Sequence, residues 1–279
     1  TKLFKKTKPD LIWSNTITIN IGFYLSKILN IRHVWYIHEF GTLDHGLKFN
    51  FGSKIARIIL RNSGDIVVNS KTTSEHFKNL LNKEVPFIYY SMEMFRINQE
   101  VIVSNNLKSA IIYGRISESK GHLIVVNAFC RLIKKDKNLK LTILGSTDDI
   151  DFLNRIRKII KDNDVCDYIQ IINHTDNPIN IVNKHEIVIN CSKNEAFGRV
   201  NIESMKLGKI LVASNNGSSP ELISDNYNGI LFERSVDGLS NCLLDLLRRE
   251  TTEIAAISNN ARNYALNNFN SEQQRKELH

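Results

Sequence analysis

The feature that most limits the fold of this chain is a regular alternation of two kinds of segment. Short runs rich in Val and Ile, such as 109–114 and 186–190, alternate with longer segments whose apolar residues recur at helical spacing, such as 121–135 and 236–249. Strands that are apolar on both faces and separated by helices are typical of β-α-β units with parallel sheets. The pattern therefore predicts an α/β protein.

Ten of the apolar runs are predicted to be strands, which is many for one open sheet in 279 residues. They are 11–13, 33–37, 65–69, 87–90, 109–114, 140–145, 168–172, 186–190, 209–214 and 229–232. We therefore predict two Rossmann-like, doubly wound domains, 1–105 and 106–268, with the change of domain near the polar stretch 98–109.

The charge balance of the chain limits its partners. The net charge is +8, and basic residues concentrate in 132–140 and 152–162. Such a surface suits phosphorylated substrates or anionic lipid, with a merely solvated basic surface as an equal alternative. No helix-turn-helix or RNA-binding signature is present, so nucleic acid is not a predicted partner.

Cysteine usage and hydropathy indicate a reduced, cytoplasmic setting. No apolar run approaches the length of a membrane span, and no secretory leader pattern opens the sequence. The widely spaced cysteines are expected to be reduced thiols rather than disulfides or zinc ligands. They are Cys130, Cys166, Cys191 and Cys242.

The first candidate binding segment follows the predicted strand 109–114, because ligands of open α/β sheets bind beyond the carboxyl ends of strands. Gly114 allows the chain to turn off the strand. Arg115 and Lys120 follow, five residues apart, and Lys120 lies at the start of the next helix. Two cations in this position suit a diphosphate, although a solvated basic loop is the alternative. The segment is neither a P-loop nor a dinucleotide-binding glycine motif.

The second candidate segment follows the predicted strand 186–190. A helix is predicted to begin at Gly198 and to end at Gly208. The first amides of this helix, near Gly198, Arg199 and Val200, lack partners within the helix, so they form an anion site. The apolar positions predicted to face the core are Val200, Ile202 and Met205.

Two acidic residues flank this anion site. Glu195 precedes the helix and Glu203 lies on its second turn, eight positions later, so they are not a close pair sharing one proton. Carboxylates do not bind phosphate, and we predict that they accept hydrogen bonds from the vicinal hydroxyls of a ribose or a hexose. The alternatives are a helix-dipole partner for Glu195 and a plain surface residue for Glu203.

A third segment follows the predicted strand 209–214. Gly217 is expected to make a tight turn, Ser219 to be a helix N-cap, and Pro220 and Glu221 to occupy the first helical turn. This pattern needs no ligand, yet it supplies further free amides at another strand end of the same sheet.

Together these motifs resemble the family 4 glycosyltransferases (glycosyl transferases group 1), which are retaining enzymes of the GT-B fold. The resemblance is close over 109–270 and looser in the first domain, where KPDLIWSNT and VWYIHEFG resemble the family's acceptor domain. The segments that carry it are YGRISESKG, LTILGS, EAFGRVNIE, NGSSPELI and DNYNGILF.

The resemblance implies roles for several residues. Arg115 and Lys120 would bind the donor diphosphate and stabilise the leaving phosphate, Glu203 would bind the ribose, and Glu195 would contact the donor sugar near the reaction centre. His38 would correspond to a histidine of the acceptor domain, although a lone histidine at a strand end is more often structural. The other implied substrate-binding residues are Gly114, Phe197, Gly198, Arg199, Val200 and Gly217.

The resemblance also implies the reaction. A hexose would pass from a nucleoside diphosphate sugar to a glycan or polyprenyl-linked acceptor, with retained configuration, in the synthesis of capsule, lipopolysaccharide or exopolysaccharide. No metal or other cofactor would be needed. Asp149 and Asp151 have Asp-x-Asp spacing, but we interpret Asp148 and Asp149 as solvated acids of a first helical turn.

The expected location is cytoplasmic, with peripheral association at the inner face of an anionic membrane. The family pattern places a further strand and a glycine-rich loop before Thr1, so the first domain is expected to be N-terminally truncated. It also implies a closing helix, 269–279, that packs back toward the first domain. Two alternatives remain open. One is a GT-B relative with epimerase or phosphorylase chemistry, and the other is a non-catalytic nucleotide-sugar-binding subunit.

Overall fold

A computed structural model describes residues 9–41, 52–92 and 107–278 of the protein. These residues form an α/β protein whose two sheets are parallel throughout, as predicted. The predicted change of domain at 98–109 lies mostly outside the described residues.

Contacts divide the chain into two compact units. The first unit contains the described residues up to Tyr90 together with Asn194–Phe197 and the residues from Gln274 onward. The second unit contains the described parts of Ser91–Lys193 and Gly198–Gln273. Four residues of the second candidate segment therefore group with the first unit.

The first unit holds a three-stranded parallel sheet in the order β1-β2-β3. Its strands are β1 (Leu11–Ser14), β2 (Arg32–Ile37) and β3 (Asp65–Val68), and its helices are α1 (Ile21–Leu29), α2 (Gly52–Arg61) and α3 (Lys71–Leu81). Each helix follows one strand, which gives the β-α-β succession that the hydrophobic pattern predicts. The core of this unit includes Trp35, Ile37, Val68 and Phe77.

The predicted strand 87–90 is wrong. Only Phe87 pairs with the sheet, through a single parallel bridge to Val68. Pro86 precedes it and has no backbone N–H, so the ladder cannot extend in that direction. Two hydrogen bonds make this bridge, from Val68 N to Pro86 O and from Ile88 N to Val68 O.

The second unit holds a six-stranded parallel sheet in the order β6-β5-β4-β7-β8-β9. Its strands are β4 (Ser109–Tyr113), β5 (Lys140–Leu144), β6 (Ile169–Ile172), β7 (Ile187–Asn190), β8 (Ile210–Ser214) and β9 (Ile230–Phe232). Its longer helices are α4 (His122–Ile133), α5 (Ile150–Asp162), α7 (Arg199–Lys206), α9 (Val236–Leu246) and α10 (Thr251–Asn268). The short helices α6 (Pro178–Val182) and α8 (Ser219–Leu222) lie between them, and α11 (Ser271–Leu278) ends the described chain.

Burial explains why the strands of this sheet read as continuous apolar runs. All residues of β7 and β8 are buried, because helices pack on the sheet and leave no strand face to solvent. The largest core cluster joins residues of β4, β5, α4, α5 and α9. The sheet is therefore a rigid base for the loops at its edge.

Two further expectations concern cysteines and membrane spans. All four cysteines are free thiols, and Cys130 and Cys191 are buried. Within the described ranges, no helix combines the length and the apolar content that crossing a bilayer requires.

Candidate functional site

The strand order of the second unit marks one crevice at the carboxyl edge of its sheet. The chain runs outward from β4 through β5 to β6, then returns to the other side of β4 and continues through β7, β8 and β9. Open α/β sheets bind ligands at such a switch point, between the first strand and the strand where the order reverses. The loops after β4 and β7 are the first and second candidate segments.

The loop after β4 begins with a close approach of two backbones. Gly114 has a φ of 122°, and its N–H donates to the Leu144 carbonyl at 2.9 Å. A Cβ added to Gly145 would lie 1.8 Å from the Gly114 oxygen, so a side chain at Gly145 would force the two turns apart. Gly145 of the LGS motif is therefore required by packing between the ends of β4 and β5, whereas Gly114 of the YGR motif is required by its positive φ, since a Cβ there would meet no atom within 4 Å.

Arg115 is engaged in an exposed ion pair. Its Nη2 lies 3.1 Å from Asp148 Oδ2, and both side chains are more than half exposed. Exposed pairs of this kind contribute little stability, so an anionic ligand can replace Asp148 as the partner of Arg115. Asp148 and Asp149 are both exposed, as predicted, but neither lies in the first turn of α5, since Asp149 is its N-cap and accepts from Phe152 N at 2.9 Å.

The loops after β4 and β7 are held together at several points. Gly121, which follows Lys120 and caps α4, has a φ of 76°, and a Cβ there would lie 2.3 Å from the Cys191 carbonyl oxygen. Lys193 N also donates to Ser119 O at 2.8 Å. The position of Lys120 is thus tied to the loop after β7.

Arg234, which sequence reasoning missed, joins the same two loops. Its Nε donates to Cys191 O at 2.9 Å, and its Nη2 lies 3.3 Å from Glu118 O and 3.4 Å from Ser119 O. Arg234 comes two residues after β9, and no local pattern marks it. Its position just after a predicted strand is the feature of the sequence that could have identified it as a site residue.

Helix α7 begins where predicted. Gly198 is its N-cap with a φ of 84°, and a Cβ there would lie 2.9 Å from Asn201 Nδ2. Ile202 and Met205 are fully buried, whereas Val200 is only half-buried. The first turn of α7 thus lies at the open edge of the sheet, where helix amides and the helix dipole attract an anion.

Glu203 is not a plain surface residue, because its side chain is only 12% exposed. The Tyr113 hydroxyl donates to Glu203 Oε2 at 3.1 Å, and Arg199 Nη2 lies 3.4 Å from Oε1. Burial raises the pKa of the Glu203 carboxyl above its usual value, while the Arg199 charge and the Tyr113 hydrogen bond offset part of this rise. Sequence reasoning missed Tyr113, although it is the last residue of β4 and precedes Gly114.

The third segment differs from its predicted capping pattern. Gly217 has the expected positive φ, 59°. Ser218, not Ser219, is the N-cap of α8, and its side chain makes no capping hydrogen bond. Ser219 is instead the first helical residue of α8, and its hydroxyl accepts from Asn201 Nδ2 of α7 at 3.2 Å.

The first unit contains the remaining predicted residues. His38 follows β2, and its carbonyl accepts from Asn69 Nδ2 at 3.3 Å. Its ring meets the edges of Tyr36 and Tyr90, with centroid distances of 4.4 and 6.1 Å. Burial lowers the pKa of His38 and Glu39 offsets part of this, so the imidazole is neutral at pH 7.

The segment Asn194–Phe197 has its contacts in this first unit. The Ser70 hydroxyl, at the N-cap of α3, donates to Ala196 O at 2.5 Å. Phe197 is 5% exposed and lies 6.4 Å from the ring centre of Tyr90. Tyr90 is therefore a neighbour of both His38 and Phe197, while Glu195, next to Ala196, is half-buried.

The structure thus divides the predicted site residues between the two units. His38, Glu195 and Phe197 belong to the first unit, and the others lie at the carboxyl edge of the sheet of the second unit. Those others are Gly114, Arg115, Lys120, Gly198, Arg199, Val200, Glu203 and Gly217. Across residues 9–41, 52–92 and 107–278, no group of three or more His, Cys, Asp or Glu side chains could hold a metal ion.

Comparison with known proteins identifies the family of the chain. The family model described as "Glycosyl transferases group 1" matches residues 94–264, which is more than half of the chain. The chain is 28% identical over 145 residues to the poly(glycerol-phosphate) alpha-glucosyltransferase of Bacillus subtilis, covering 51% of this chain and 21% of that protein. It is 25% identical over 290 residues to an uncharacterized glycosyltransferase of Methanocaldococcus jannaschii, covering 99% of this chain and 72% of that protein.

Among solved structures, the chain resembles Anabaena HepE in complex with UDP-glucose. The TM-score is 0.85 at 20% identity, over 99% of this chain and 80% of HepE. This likeness shows the fold, which is the α/β fold of GT-B glycosyltransferases. The chain spans only about a fifth of the length of the Bacillus relative.

Proposed function

The chain belongs to the glycosyl transferases group 1 family, and from this premise we propose that it is a retaining hexosyltransferase. It moves a sugar from a nucleoside diphosphate sugar to a glycan or polyprenyl-linked acceptor during the synthesis of a cell-surface polysaccharide. The observation that carries the proposal is the composition of the switch-point edge. Two cations, a helix N-terminus and a largely buried carboxylate lie there, and these are the groups that a diphosphate and a ribose need.

The nucleotide part of the donor occupies the second unit. Arg115 and Lys120 bind the diphosphate together with the amides at the start of α7, and Glu203 accepts hydrogen bonds from the ribose hydroxyls. Negative charge grows on the leaving diphosphate as the bond to the sugar breaks, so these groups stabilise the transition state more than the ground state. Fixed cations of this kind serve the leaving group without a metal ion.

We assign Glu195, Phe197 and His38 to the sugar end of the donor. Glu195 accepts hydrogen bonds from the sugar hydroxyls, and Phe197 limits solvent beside them. A neutral His38 can donate to or accept from a sugar or acceptor hydroxyl, because burial disfavours its charged form.

Retention of configuration at the sugar C1 requires that the acceptor oxygen attack the same face of the sugar from which the leaving group departs. In this proposal a phosphate oxygen of the leaving diphosphate takes the proton of the acceptor hydroxyl. The bond between the sugar C1 and the diphosphate oxygen breaks while the new glycosidic bond forms on the same face. The products are the nucleoside diphosphate and the extended acceptor.

Lys120→Ala is the first test, with donors screened as UDP, GDP and ADP sugars. A bound donor stabilises the folded protein by RT ln(1 + [L]/Kd), or about 2.7 kcal/mol at a concentration of about 100 Kd, which a thermal shift detects. The wild type is expected to gain stability with one donor and to release its nucleoside diphosphate in the presence of an acceptor. Lys120→Ala should lose turnover and weaken donor binding.

Lys184→Ala is the matched control, since Lys184 is exposed in the second unit and precedes β7, at the end of the sheet opposite to the loops. If Lys120→Ala kept full turnover, the assigned diphosphate site would be wrong. The anomeric proton coupling of the product, measured by NMR, decides retention. A product of inverted configuration overturns that part of the proposal, and conversion of the donor alone to an epimer favours the epimerase alternative.

The basic surface suggests the cellular location at which the protein binds its acceptor. A net charge of +8 suits an acceptor carried on an anionic polyprenyl diphosphate at a cytoplasmic membrane face. We propose peripheral association only, through the exposed basic residues of 132–140 and 152–162.

A further inference from the structure

Tyr113 and Glu203 form a contact between the end of a strand and a helix. None of the sequence motifs predicts this contact. Tyr113 ends β4 and Glu203 lies on the second turn of α7, 90 positions later. The Tyr113 hydroxyl lies 3.1 Å from Glu203 Oε2, 3.4 Å from Val200 O and 3.5 Å from Ser204 Oγ. A phenol has one proton to donate, and the carboxylate is both the nearest acceptor and the only charged one of the three.

The phenol is a permanent donor. Burial and the neighbouring Glu203 charge raise the pKa of Tyr113 well above its usual value, so the hydroxyl keeps its proton at neutral pH. Glu203 Oε2 therefore has a donor at the end of β4, a strand whose three central residues are buried.

The other oxygen of Glu203 is held less firmly. Arg199 Nη2 is 3.4 Å from Oε1, and the Arg199 side chain is 63% exposed. A carboxylate offers about four lone-pair positions, so one partner on each oxygen leaves one position per oxygen for a ligand. Two vicinal hydroxyls of a ligand can donate to the two free lone pairs, one on each Glu203 oxygen, only when the plane of the carboxylate is fixed.

We propose that Tyr113 is a positioning residue for ribose recognition, holding the Glu203 carboxylate in the orientation that accepts the 2′ and 3′ hydroxyls of the nucleotide. This inference rests on the proposed function and assigns part of its specificity. Without the phenol hydroxyl, the carboxylate can rotate, and the preference for ribose over deoxyribose declines.

The test is titration calorimetry with UDP and 2′-deoxy-UDP, repeated with GDP and 2′-deoxy-GDP, on the wild type and on Tyr113→Phe. The wild type is expected to bind the ribonucleotide about tenfold more tightly than its deoxy form, as one hydrogen bond to a charged group allows. Tyr113→Phe should weaken binding of the ribonucleotide about three- to tenfold and leave binding of the deoxy form within about twofold.

A double-mutant cycle gives a second readout. In a Glu203→Gln background, Tyr113→Phe is expected to add little further loss, because the two residues act through one contact. Tyr168→Phe is the matched control, since it removes a phenol hydroxyl that lies next to β6 in the same unit. Melting curves of all variants check folding.

Each contrary result has a distinct meaning. If Tyr113→Phe kept the full ribose preference, or weakened both forms equally, Tyr113 would have no positioning role. Equal binding of the two forms by the wild type would remove Glu203 from ribose recognition and overturn the inference, while donor binding itself would stand. Binding of no nucleoside diphosphate by the wild type would defeat the proposed function as well.

Discussion

Glu203 shows how two neighbours set the chemistry of one carboxylate. Burial favours its protonated form, and the Arg199 guanidinium and the Tyr113 hydroxyl favour its charged form. The net pKa is raised, so Glu203 takes up a proton at a higher pH than an exposed glutamate. A protonated carboxyl loses acceptor positions, which makes its ionisation a condition of ribose binding.

Donor affinity should therefore depend on Glu203 ionisation. The affinity for UDP-glucose is expected to be constant near neutral pH and to fall as the pH drops through the raised pKa of Glu203. Tyr113→Phe removes a hydrogen bond that lowers this pKa, so the fall should begin at a higher pH. Glu203→Gln should bind more weakly at neutral pH and lack the fall. UDP-glucose is a better probe than UDP for this experiment. Both ends of its diphosphate are esterified, so the diphosphate has no proton that titrates in the same pH range as Glu203.

Glu233→Gln is the control for this profile, because Glu233 is an exposed carboxylate of the same unit. If the affinity for UDP-glucose still fell at acid pH in Glu203→Gln, the titrating group would be another residue.

The site depends, at the scale of elements, on two loops held at a fixed spacing. The backbone of Gly121 lies against Cys191, and a side chain at Gly121 would collide with it. Arg234 donates hydrogen bonds to backbone carbonyls of both loops. It thereby supplies partners for carbonyl groups of the loops, where no neighbouring strand is available. This spacing sets where Lys120 stands relative to the start of α7.

Arg234→Gln should raise the Kd of the donor about tenfold, since it removes charge-assisted hydrogen bonds that position the Lys120 loop. Arg234→Lys should have an intermediate effect, because an ammonium reaches one carbonyl but lacks the fork of a guanidinium. Donor titrations and melting curves measure both variants.

Arg248→Gln is the control, as Arg248 is an exposed arginine of the same unit. A loss of melting temperature in Arg234→Gln without any change in donor affinity would show that Arg234 stabilises the fold but does not position the site.

The whole molecule is basic, and this property belongs to no single element. The exposed positive residues of α5 and of the segment after α4 add to a field that attracts anionic lipid within about 10 Å at an ionic strength of about 0.1 M, and farther at lower salt. The protein is expected to float with liposomes containing phosphatidylglycerol and to be released by salt. Neutral phosphatidylcholine liposomes should not carry it.

Lys135→Glu with Lys158→Glu should abolish this flotation. Lys27→Glu with Lys54→Glu, which makes the same change of charge on exposed residues of the first unit, should reduce it only partly. Equal flotation by all variants, or flotation with neutral liposomes, would count against electrostatic association.

Much of the fold follows from local pattern. Nine of the ten predicted strands form, because a short run rich in Val and Ile is a property of a few neighbouring residues. The start of α7 at Gly198 is equally local, since it depends on a positive φ that glycine adopts without strain. The strand at 87–90 fails because pairing needs a partner strand, and only Phe87 meets one.

The contacts that complete the site are not local. Tyr113 meets Glu203 across 90 positions, Ser70 meets Ala196 across 126, and Arg234 meets Cys191 across 43. No periodicity or spacing rule relates residues so far apart, because loop closure and strand order decide which chain segments become neighbours.

The sequence by itself thus determined the class of fold, the order of the strands along the chain and the residue types that a diphosphate and a diol require. Only the tertiary structure decided that Glu203 is largely buried, that Tyr113 and Arg199 hold its two oxygens, and that Arg234 joins the loops beside Lys120. The physical reason is that a side chain's chemistry belongs to its residue, whereas its burial, its orientation and its pKa depend on neighbours that folding supplies.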